Sequence, residues 1–392
     1  MPNLLKGANT KPVHLALARN LVRDLKRGHP WVYRDALKDL PAAAAGSPAV
    51  LSHGKRAVAA RGYYDPQSPL AFRSCAVDDE ELDETWAIGR LNRALDIRRR
   101  LFTEDTTTAY RVLNGEGDGV PGLILDRYGD YGVMQLDGAG PEGFWNAKGI
   151  AGWAVENLGL KHVIQKPRTC PAVALAGKLP QQEVAITEDG VKFFVDLING
   201  QKTGFFLDQR ENRKRIGELS AGRTVLNLFG YTGGFSVYAG LGGAAEVATV
   251  DIAKPAVAAA ERNWKLNGLN PAAHSAVASD AFEFLKNKRI WDIVVADPPS
   301  FAPSKDKVPQ AKSAYTKLIE AAAGACKRGG LLAVSSCSSH IPGEMFLELC
   351  VQAVSQARRR ATVLSVYGQP PDHPYPLACP ELRYLKFVLL AV

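Results

Sequence analysis

Several features that define large classes of proteins are missing from this sequence of 392 residues. No apolar run approaches the roughly 18 residues of a membrane-spanning helix, and Met1–Thr10 holds no apolar stretch typical of a signal peptide. The six cysteines form no C-x-x-C pair and no cluster with histidine. We therefore expect a cytoplasmic protein with reduced cysteines, no disulfide framework, no metal site and no association with membranes.

Acidic side chains are scarce in the first 75 residues, where no glutamate occurs. This segment has 12 Lys and Arg side chains against four Asp, whereas 76–195 has 13 basic against 19 acidic and 196–392 has 23 against 17. The net charge of +8 therefore arises from two basic blocks that flank an acidic one. Such a pattern suits an anionic polymer better than a uniformly adhesive surface. Charge alone leaves nucleic acid, acidic lipid and simple solubility open.

Composition and length together predict a folded protein with several domains. Hydrophobic residues make up 46% and charged residues 22% of the chain, which excludes wholesale disorder. At about 150 residues per domain, the length predicts two or three domains. We place a small β-rich domain at 1–75, an α+β domain at 76–195 after the acidic connector Asp78–Glu84, and an α/β domain at 196–392. The alternating strands and helices of the last domain are typical of a parallel sheet covered on both faces.

Cations and aromatic residues are interleaved in the N-terminal block. Cations attract phosphates, and aromatic rings offer stacking faces to unpaired bases. Trp31 and Tyr33 can equally be core residues of a small β-barrel, and that alternative stays open. The candidate RNA-binding residues of this block are Arg27, His29, Trp31, Arg34 and Arg61.

The C-terminal half has the pattern of an adenosine pocket at the carboxyl edge of a sheet. Its first predicted strand runs into a glycine turn at 230–235, its second ends in Asp251, and its third ends in Ser279-Asp280. The turn lacks the Gly-x-Gly-x-x-Gly spacing of a pyrophosphate binder, and the chain has no Gly-Lys-[Ser/Thr]. NAD and ATP are thereby disfavoured, and S-adenosylmethionine (SAM), which has no phosphate, is favoured.

An acidic residue and a cysteine follow the next two predicted strands. The fourth strand ends in Asp297-Pro298-Pro299, where two prolines impose a stiff, extended exit on the chain. The fifth strand runs into Cys337. Cysteine is usually a small buried apolar residue. The end of a strand beside a double-proline acidic loop instead favours a functional thiol at Cys337.

Several stretches resemble a known family, the large-subunit ribosomal RNA (cytosine-5-)-methyltransferases that join a PUA domain, an EEHEE-type middle domain and a class I methyltransferase domain. The double-proline loop is similar to motif IV of class I methyltransferases, which grips a flat base. The matching stretches span nearly the whole chain in family order. They are Gly28–Tyr33, Arg61–Tyr64, Gly115–Gly122, Asn199–Arg210, Asn227–Phe235, Asp297–Pro299, Ser336–Ser338 and Asp372–Pro374.

The resemblance implies an α/β fold, with a Rossmann-like class I methyltransferase domain preceded by a small β-rich PUA domain and an α+β EEHEE-type middle domain. It implies that Gln201–Arg210 folds over SAM, that Asp251 holds the ribose and that Cys337 and Asp297 are catalytic. Lys305 and Lys307 follow the motif IV loop and are further candidates for RNA contact. The candidate cofactor-binding residues are Lys202, Leu207, Arg210, Phe229, Gly230, Thr232, Gly233, Asp251, Ile252, Asp280, Ala281 and Asp297.

The expected activity is SAM-dependent methylation of cytosine carbon 5 in large-subunit ribosomal RNA, with a covalent bond between Cys337 and the base. One alternative is methylation of another rRNA base or atom, such as a guanine nitrogen, with Cys337 as a bystander. Another is a non-catalytic rRNA-binding assembly factor. A nicotinamide oxidoreductase is disfavoured by the missing glycine spacing. The sequence leaves the modified nucleotide and homodimer formation open.

Overall fold

The computed structural model describes residues 3–7, 10–54, 57–77, 80–168 and 170–392. Backbone contacts divide the chain into two compact units. The predicted three-domain division remains a prediction, and Asp78 and Asp79 of the acidic connector lie outside the described residues. Unit 1 comprises Met1–Asp189, Val195–Leu207 and Pro371–Leu382, and unit 2 comprises Gly190–Phe194, Asp208–Pro370 and Arg383–Val392.

The N-terminal part of unit 1 is a five-stranded sheet with strand order β1-β3-β4-β5-β2. Most of its pairings are antiparallel, and β1 pairs with β3 in parallel. Apolar side chains such as Leu51 and Phe72 are fully buried and form the core of the sheet. Its elements are β1 (Val13–Ala16), α1 (Val22–Lys26), β2 (Trp31–Val32), β3 (Ser47–His53), β4 (Ala57–Tyr64) and β5 (Phe72–Val77).

A second five-stranded sheet of unit 1 has the order β10-β9-β8-β7-β6. The helix that precedes it in the chain starts at a capped end, where the side chain of Asp83 accepts a hydrogen bond from the backbone N–H of Trp86. The elements are α2 (Glu84–Leu101), β6 (Ala109–Asn114), β7 (Leu123–Tyr128), β8 (Tyr131–Leu136), α3 (Ala139–Phe144), α4 (Ala147–Leu158), β9 (His162–Gln165) and β10 (Val173–Ala176). Two short strands follow, β11 (Val184–Glu188) and β12 (Val191–Val195).

Unit 2 is built on a seven-stranded sheet with the order β15-β14-β13-β16-β17-β19-β18. Its central strands at 224–228, 246–251 and 291–296 are almost wholly buried, as expected for strands covered on both faces. The strands are β13 (Thr224–Leu228), β14 (Glu246–Asp251), β15 (His274–Ala278), β16 (Trp291–Ala296), β17 (Cys326–Ser336), β18 (Thr362–Tyr367) and β19 (Lys386–Ala391). The helices are α5 (Arg210–Glu218), α6 (Gly234–Leu241), α7 (Lys254–Leu266), α8 (Ala281–Leu285), α9 (Val308–Ala325) and α10 (Gly343–Gln356).

The sheet of unit 2 differs from the all-parallel sheet that the sequence predicts. Strand β19 runs antiparallel to both β17 and β18, and β18 was not among the predicted strands. An antiparallel return needs no crossover helix, so it leaves no strand–helix alternation for the sequence to display. Strand β18 lies at the sheet edge, and its Val363 and Leu364 are half-exposed, so it lacks the burial of the central strands.

The parallel register brings the ends of the central strands to one edge. Leu228, the last residue of β13, pairs with Val250 on one side and Ala296 on the other. Ala296 in turn pairs with Val334 of β17. The segments that leave the carboxyl ends of β14, β13, β16 and β17 therefore start at nearly the same level, and these segments carry the residues singled out from the sequence.

Candidate cofactor and catalytic site

The turn after β13 is tightly packed against its neighbouring strand. Phe229 and Tyr231 adopt left-handed backbone conformations, with φ of 57° and 47°, which are rare for residues other than glycine. Between them, the N–H of Gly230 donates to the carbonyl of Val250 at 2.9 Å. A Cβ on Gly230 would stand 2.4 Å from the Cγ2 atom of Thr249. The turn therefore requires glycine at this position, and its strained neighbours suggest a functional constraint.

Asp251 ties this turn to the end of β14. One carboxylate oxygen accepts from the N–H of Tyr231 and the other from the N–H of Ala253, each at 2.9 Å. An ionised carboxylate has about four acceptor positions, so Asp251 keeps capacity for two hydroxyl donors such as those of a ribose. Ile252 follows with 74% of its surface exposed and offers an apolar face beside the carboxylate. These residues fit the adenosine part of SAM.

Asp280 begins helix α8 at the end of the neighbouring strand. Its Oδ1 accepts from the backbone N–H groups of Phe282 and Glu283 at 2.8 and 3.2 Å, which is the geometry of a helix N-cap. The N–H of Ser279 donates to the carbonyl of Asp251 at 3.0 Å, so the two strand ends are adjacent. A role of Asp280 and Ala281 at an adenine edge remains a prediction.

The segments that carry Asp297 and Cys337 are joined through their side chains. Asp297 follows the last residue of β16, and Cys337 follows the last residue of β17. The hydroxyls of Ser300 and Ser338 lie 2.9 Å apart. Cys337 is half-buried, whereas the cysteines at 75, 326, 350 and 379 are buried. The thiol is therefore at the sheet edge rather than in the apolar core.

Two further side chains brace the Cys337 segment, and neither was a candidate from the sequence. The phenol oxygen of Tyr315, on α9, lies 3.0 Å from the hydroxyl of Ser338, and Ser336 donates to it at 2.9 Å. Burial raises the pKa of Tyr315, which keeps the phenol protonated. Lys386, on β19, donates to the carbonyl of Ser338 at 2.6 Å. The sequence did offer one signal for Lys386, since it is the one charged residue in the otherwise apolar run 385–391.

The remaining predicted cofactor residues fall in both units. Lys202 and Leu207 belong to unit 1, where the ammonium of Lys202 lies 4.5 Å from the ring centre of Phe206. Arg210 begins α5 in unit 2 and is fully buried. Thr232 and Gly233 complete the turn after β13, and Gly233 is the N-cap of α6 with φ of 80°. Their contact with SAM remains a prediction.

The predicted RNA-binding residues of the N-terminal sheet are partly engaged in protein contacts. The indole N–H of Trp31 donates to Glu116 at 2.9 Å, and Arg34 donates to the carbonyl of Pro66 at 2.7 Å. Arg27 is exposed and Arg61 half-buried. Tyr33 is 45% exposed, so its ring does not belong to the core of the sheet. In unit 2, Lys305 and Lys307 are exposed just before α9.

Among the described residues, one group has the donor types of a metal site: His29, Cys379 and Glu381, with ligand atoms within 4.8 Å of one another. The N–H of Trp31 donates to Nδ1 of His29 at 3.4 Å, which assigns the imidazole proton to Nε2, 3.9 Å from Glu381. A metal would require that atom deprotonated. Burial and then Glu381 raise the pKa of Cys379 to about 12. Glu381 is hydrogen-bonded to Cys379, and we assign no metal to this group.

Two stretches from the family motifs serve the interior of unit 1. Arg98 is fully buried and forms a two-pronged ion pair with Asp118 at 2.6 and 2.7 Å. Arg98 also donates to the carbonyl of Asp372 at 2.8 Å. The N–H of Arg111 donates to the carboxylate of Asp372 at 3.0 Å. Within unit 1, the Asp372–Pro374 stretch therefore has a structural role, because buried guanidinium and carboxylate groups must be paired.

Comparison with known proteins identifies the family. The S-adenosylmethionine-dependent methyltransferase family matches residues 146–374, which is more than half of the chain, and a PUA-like domain matches residues 15–74. A ribosomal RNA large subunit methyltransferase of Deinococcus radiodurans is 38% identical over 93% of this chain and 94% of its own length. The chain belongs to the SAM-dependent ribosomal RNA large subunit methyltransferases.

Further members of this family and a solved structure agree with the assignment. Ribosomal RNA large subunit methyltransferase I of Photobacterium profundum is 34% identical over 96% of this chain and 98% of its own length. The crystal structure of a candidate methyltransferase complexed with SAH has a TM-score of 0.86 and 26% identity, covering 97% of this chain and all of the other. The predicted α/β fold, PUA-like domain and SAM dependence are thereby confirmed. No helix in the described part of the chain has the length and apolar character needed to cross a bilayer.

Proposed function

We propose that this methyltransferase transfers the methyl group of SAM to carbon 5 of a cytosine in large-subunit ribosomal RNA, with Cys337 as the covalent nucleophile. The observation that carries the proposal is the half-buried Cys337 thiol at the sheet edge that also carries Asp251 and Asp297. The names of the relatives support ribosomal RNA of the large subunit as the substrate. A reduced thiol nucleophile also suits the cytoplasmic location that the sequence predicts.

The thiol is needed because carbon 5 of cytosine is a weak nucleophile. Addition of the Cys337 thiolate to carbon 6 forms a carbon–sulfur bond and moves the electron pair of the 5,6 double bond to carbon 5. SAM, when bound, would supply the electrophilic methyl group for carbon 5, and its sulfur would take the electron pair of the broken sulfur–methyl bond and leave as S-adenosylhomocysteine (SAH). Loss of the carbon 5 proton to a base restores the double bond and expels the Cys337 thiolate. The thiol is therefore regenerated in each turnover.

The other residues of the edge have supporting roles in this proposal. A protonated Asp297 hydrogen-bonds to N3 of the cytosine and stabilises the negative charge that develops when the thiolate adds. Asp251 and the turn at Gly230 hold the adenosine part of SAM. The target base must leave any helical stack to reach the thiol. Basic side chains of the N-terminal block hold the RNA through its phosphates.

The test compares Cys337→Ala with Cys170→Ala, a matched change at an exposed cysteine of unit 1. Transfer of a tritiated methyl group is measured on large-subunit rRNA from cells that lack the modification, and binding of SAH is measured by calorimetry. We expect Cys337→Ala to lose at least about 1,000-fold in turnover while SAH binding is retained, because only the covalent step is removed. Cys170→Ala should behave as the wild type.

The identity of the product separates the proposal from its rivals. Mass spectrometry of nucleosides, followed by bisulfite mapping of the RNA, should find 5-methylcytidine at one position. A methylated guanosine, or full turnover by Cys337→Ala, would show that the thiol is a bystander. Absence of transfer to any rRNA by the SAH-binding wild-type protein would leave a non-catalytic rRNA-binding role.

A further inference from the structure

Lys386 is a buried cation of unit 2. It is 5% exposed and opens β19, followed by the apolar residues Phe387, Val388 and Leu389. Its ammonium donates to two backbone carbonyls, those of Ser338 at 2.6 Å and Tyr384 at 2.7 Å. No carboxylate of the described residues forms an ion pair with it. A buried ammonium without a counter-ion is costly, so its presence calls for an explanation.

The position of Lys386 relates it directly to the proposed nucleophile. In the antiparallel register, Lys386 pairs with Ser336, the residue before Cys337, and its ammonium bonds to Ser338, the residue after it. The cation therefore adjoins the Cys337 segment on both sides of the thiol. Burial is the larger effect on Lys386 and lowers its pKa to about 8. The electrostatic interaction with Cys337 acts in the opposite direction and favours the charged ammonium.

Tyr315, on α9, is a second titratable group of the described residues that interacts electrostatically with Cys337. Burial raises the pKa of Tyr315, so this group is a neutral phenol at physiological pH. Its hydroxyl is engaged with Ser336 and Ser338 rather than with a charge. Strand β19 therefore presents a positive charge, Lys386, to Cys337.

We propose that Lys386 is a positioning residue that stabilises the thiolate form of Cys337 and holds the Cys337 segment at the sheet edge. The inference rests on the proposed function, in which the thiolate adds to the base. A positive charge near a cysteine favours the reactive thiolate. The pairing also explains the buried ammonium, because the anion formed at Cys337 is its counter-ion during the reaction.

Two substitutions separate the charge of Lys386 from its hydrogen bonds. Lys386→Gln keeps an N–H donor but removes the charge, whereas Lys386→Arg keeps the charge. If Lys386 only fixes the backbone of the Cys337 segment, Lys386→Gln will resemble the wild type. If the charge acts on the thiol, Lys386→Gln will lower the reactivity of Cys337. Lys386→Arg will keep that reactivity closer to the wild-type value.

The measurement is the rate at which iodoacetamide alkylates Cys337 in the full-length protein, followed by peptide mass spectrometry between pH 6 and 9.5. A Cys170→Ser background removes the exposed thiol. We expect Lys386→Gln to move the pH midpoint of alkylation up by about one unit, so the rate at pH 7 falls about tenfold. Circular dichroism and SAH binding show whether each variant is folded.

Two results would overturn the inference. One is an unchanged alkylation midpoint in folded Lys386→Gln. The other requires no variant at position 386: a midpoint in the wild-type protein at or above the ordinary thiol value of about 8.5 would show that nothing stabilises the thiolate. Because alkylation needs no RNA, these results are independent of the turnover test with Cys337→Ala, which decides the proposed function.

Discussion

At the scale of single residues, His274 shows how burial couples protonation to folding. Its Nε2 lies 2.8 Å from the hydroxyl of Thr249, and its ring stacks on Trp264 with centroids 4.4 Å apart. Burial lowers the pKa of His274 from 6.5 to about 4. The unfolded chain therefore binds this proton as the pH falls below about 6.5, whereas the folded protein binds it only near pH 4. Acid thus favours unfolding within this window.

We expect the substitution His274→Gln to remove this pH dependence. In the wild-type protein the group should lower the free energy of unfolding by about 2 kcal/mol between pH 7.5 and pH 5. The variant should be less stable than the wild type at pH 7.5, but its free energy of unfolding should fall less between pH 7.5 and pH 5. Urea unfolding at both pH values measures the difference. His340→Gln, at an exposed histidine in the same unit, is the control, and an equal acid loss in wild type and His274→Gln would refute the assignment.

At the scale of elements, the turn after β13 shows how a neighbouring strand fixes the conformation of a candidate ligand site. Gly230 has no room for a Cβ because the methyl group of Thr249 on β14 and the amide of Asn227 are too close, at 2.4 and 3.0 Å from the ideal Cβ position. Asp251 holds the next residue of the turn by its N–H. The conformation of the turn is therefore set by its contacts with the adjacent strand rather than by the turn residues alone.

The substitution Gly230→Ala should push the turn away from β14. We expect a loss of about 1–3 kcal/mol in stability, since overpacking a tight contact forces backbone shifts, and an SAH affinity at least about tenfold weaker. The double variant Gly230→Ala/Thr249→Ser removes the obstructing methyl but keeps its hydroxyl, and it should recover part of both losses. Calorimetry and urea unfolding measure the two effects.

Gly89 provides the matched control for this change. It lies within helix α2, and an added Cβ would meet no heavy atom within 4 Å. Gly89→Ala should leave SAH binding unchanged and stabilise the helix slightly, because alanine favours helix more than glycine does. Wild-type stability and SAH affinity in Gly230→Ala would contradict the packing argument for the turn.

At the scale of the whole molecule, the uneven charge predicts how RNA binding responds to salt. Each cation that neutralises a phosphate releases counter-ions, so the affinity falls as the salt concentration rises. From the net charge of +8 and the glutamate-free N-terminal block, we expect this contribution to be large for the present protein. Each basic side chain that contacts a phosphate should change the slope of log affinity against log salt by about one.

We expect Arg27→Gln and Arg34→Gln each to weaken binding to large-subunit rRNA and to reduce the slope of log affinity against log salt by about one. The control is Arg328→Gln, an exposed arginine near the opposite end of β17 from Cys337. Filter binding between 50 and 300 mM KCl measures the slope. An unchanged slope in both N-terminal variants would remove them from the RNA contact.

The assembly of unit 1 depends on residues that are remote in the chain. The segment Pro371–Leu382 belongs to unit 1 although the residues on both sides of it belong to unit 2. Arg98 donates to the carbonyl of Asp372 across 274 positions. A division of the sequence into consecutive blocks cannot represent such a returning segment, because composition and periodicity are local properties.

The residues at the candidate site also divide into those that local sequence predicts and those that depend on tertiary packing. The placement of Asp251, Asp297 and Cys337 at one sheet edge was predictable because a polar residue at the end of an apolar strand is a local signal, and parallel strands share one carboxyl edge. Tyr315 and Lys386 were not, since their roles depend on which strand and helix pack beside the Cys337 segment. The antiparallel pairing of β19 brings Lys386 to Ser338 across 48 positions. The order of residues along this chain determined the family, the fold class and the strand ends. Which cation adjoins the thiol was decided by the register between β17 and β19, because register depends on how strands that are remote in the sequence pack together.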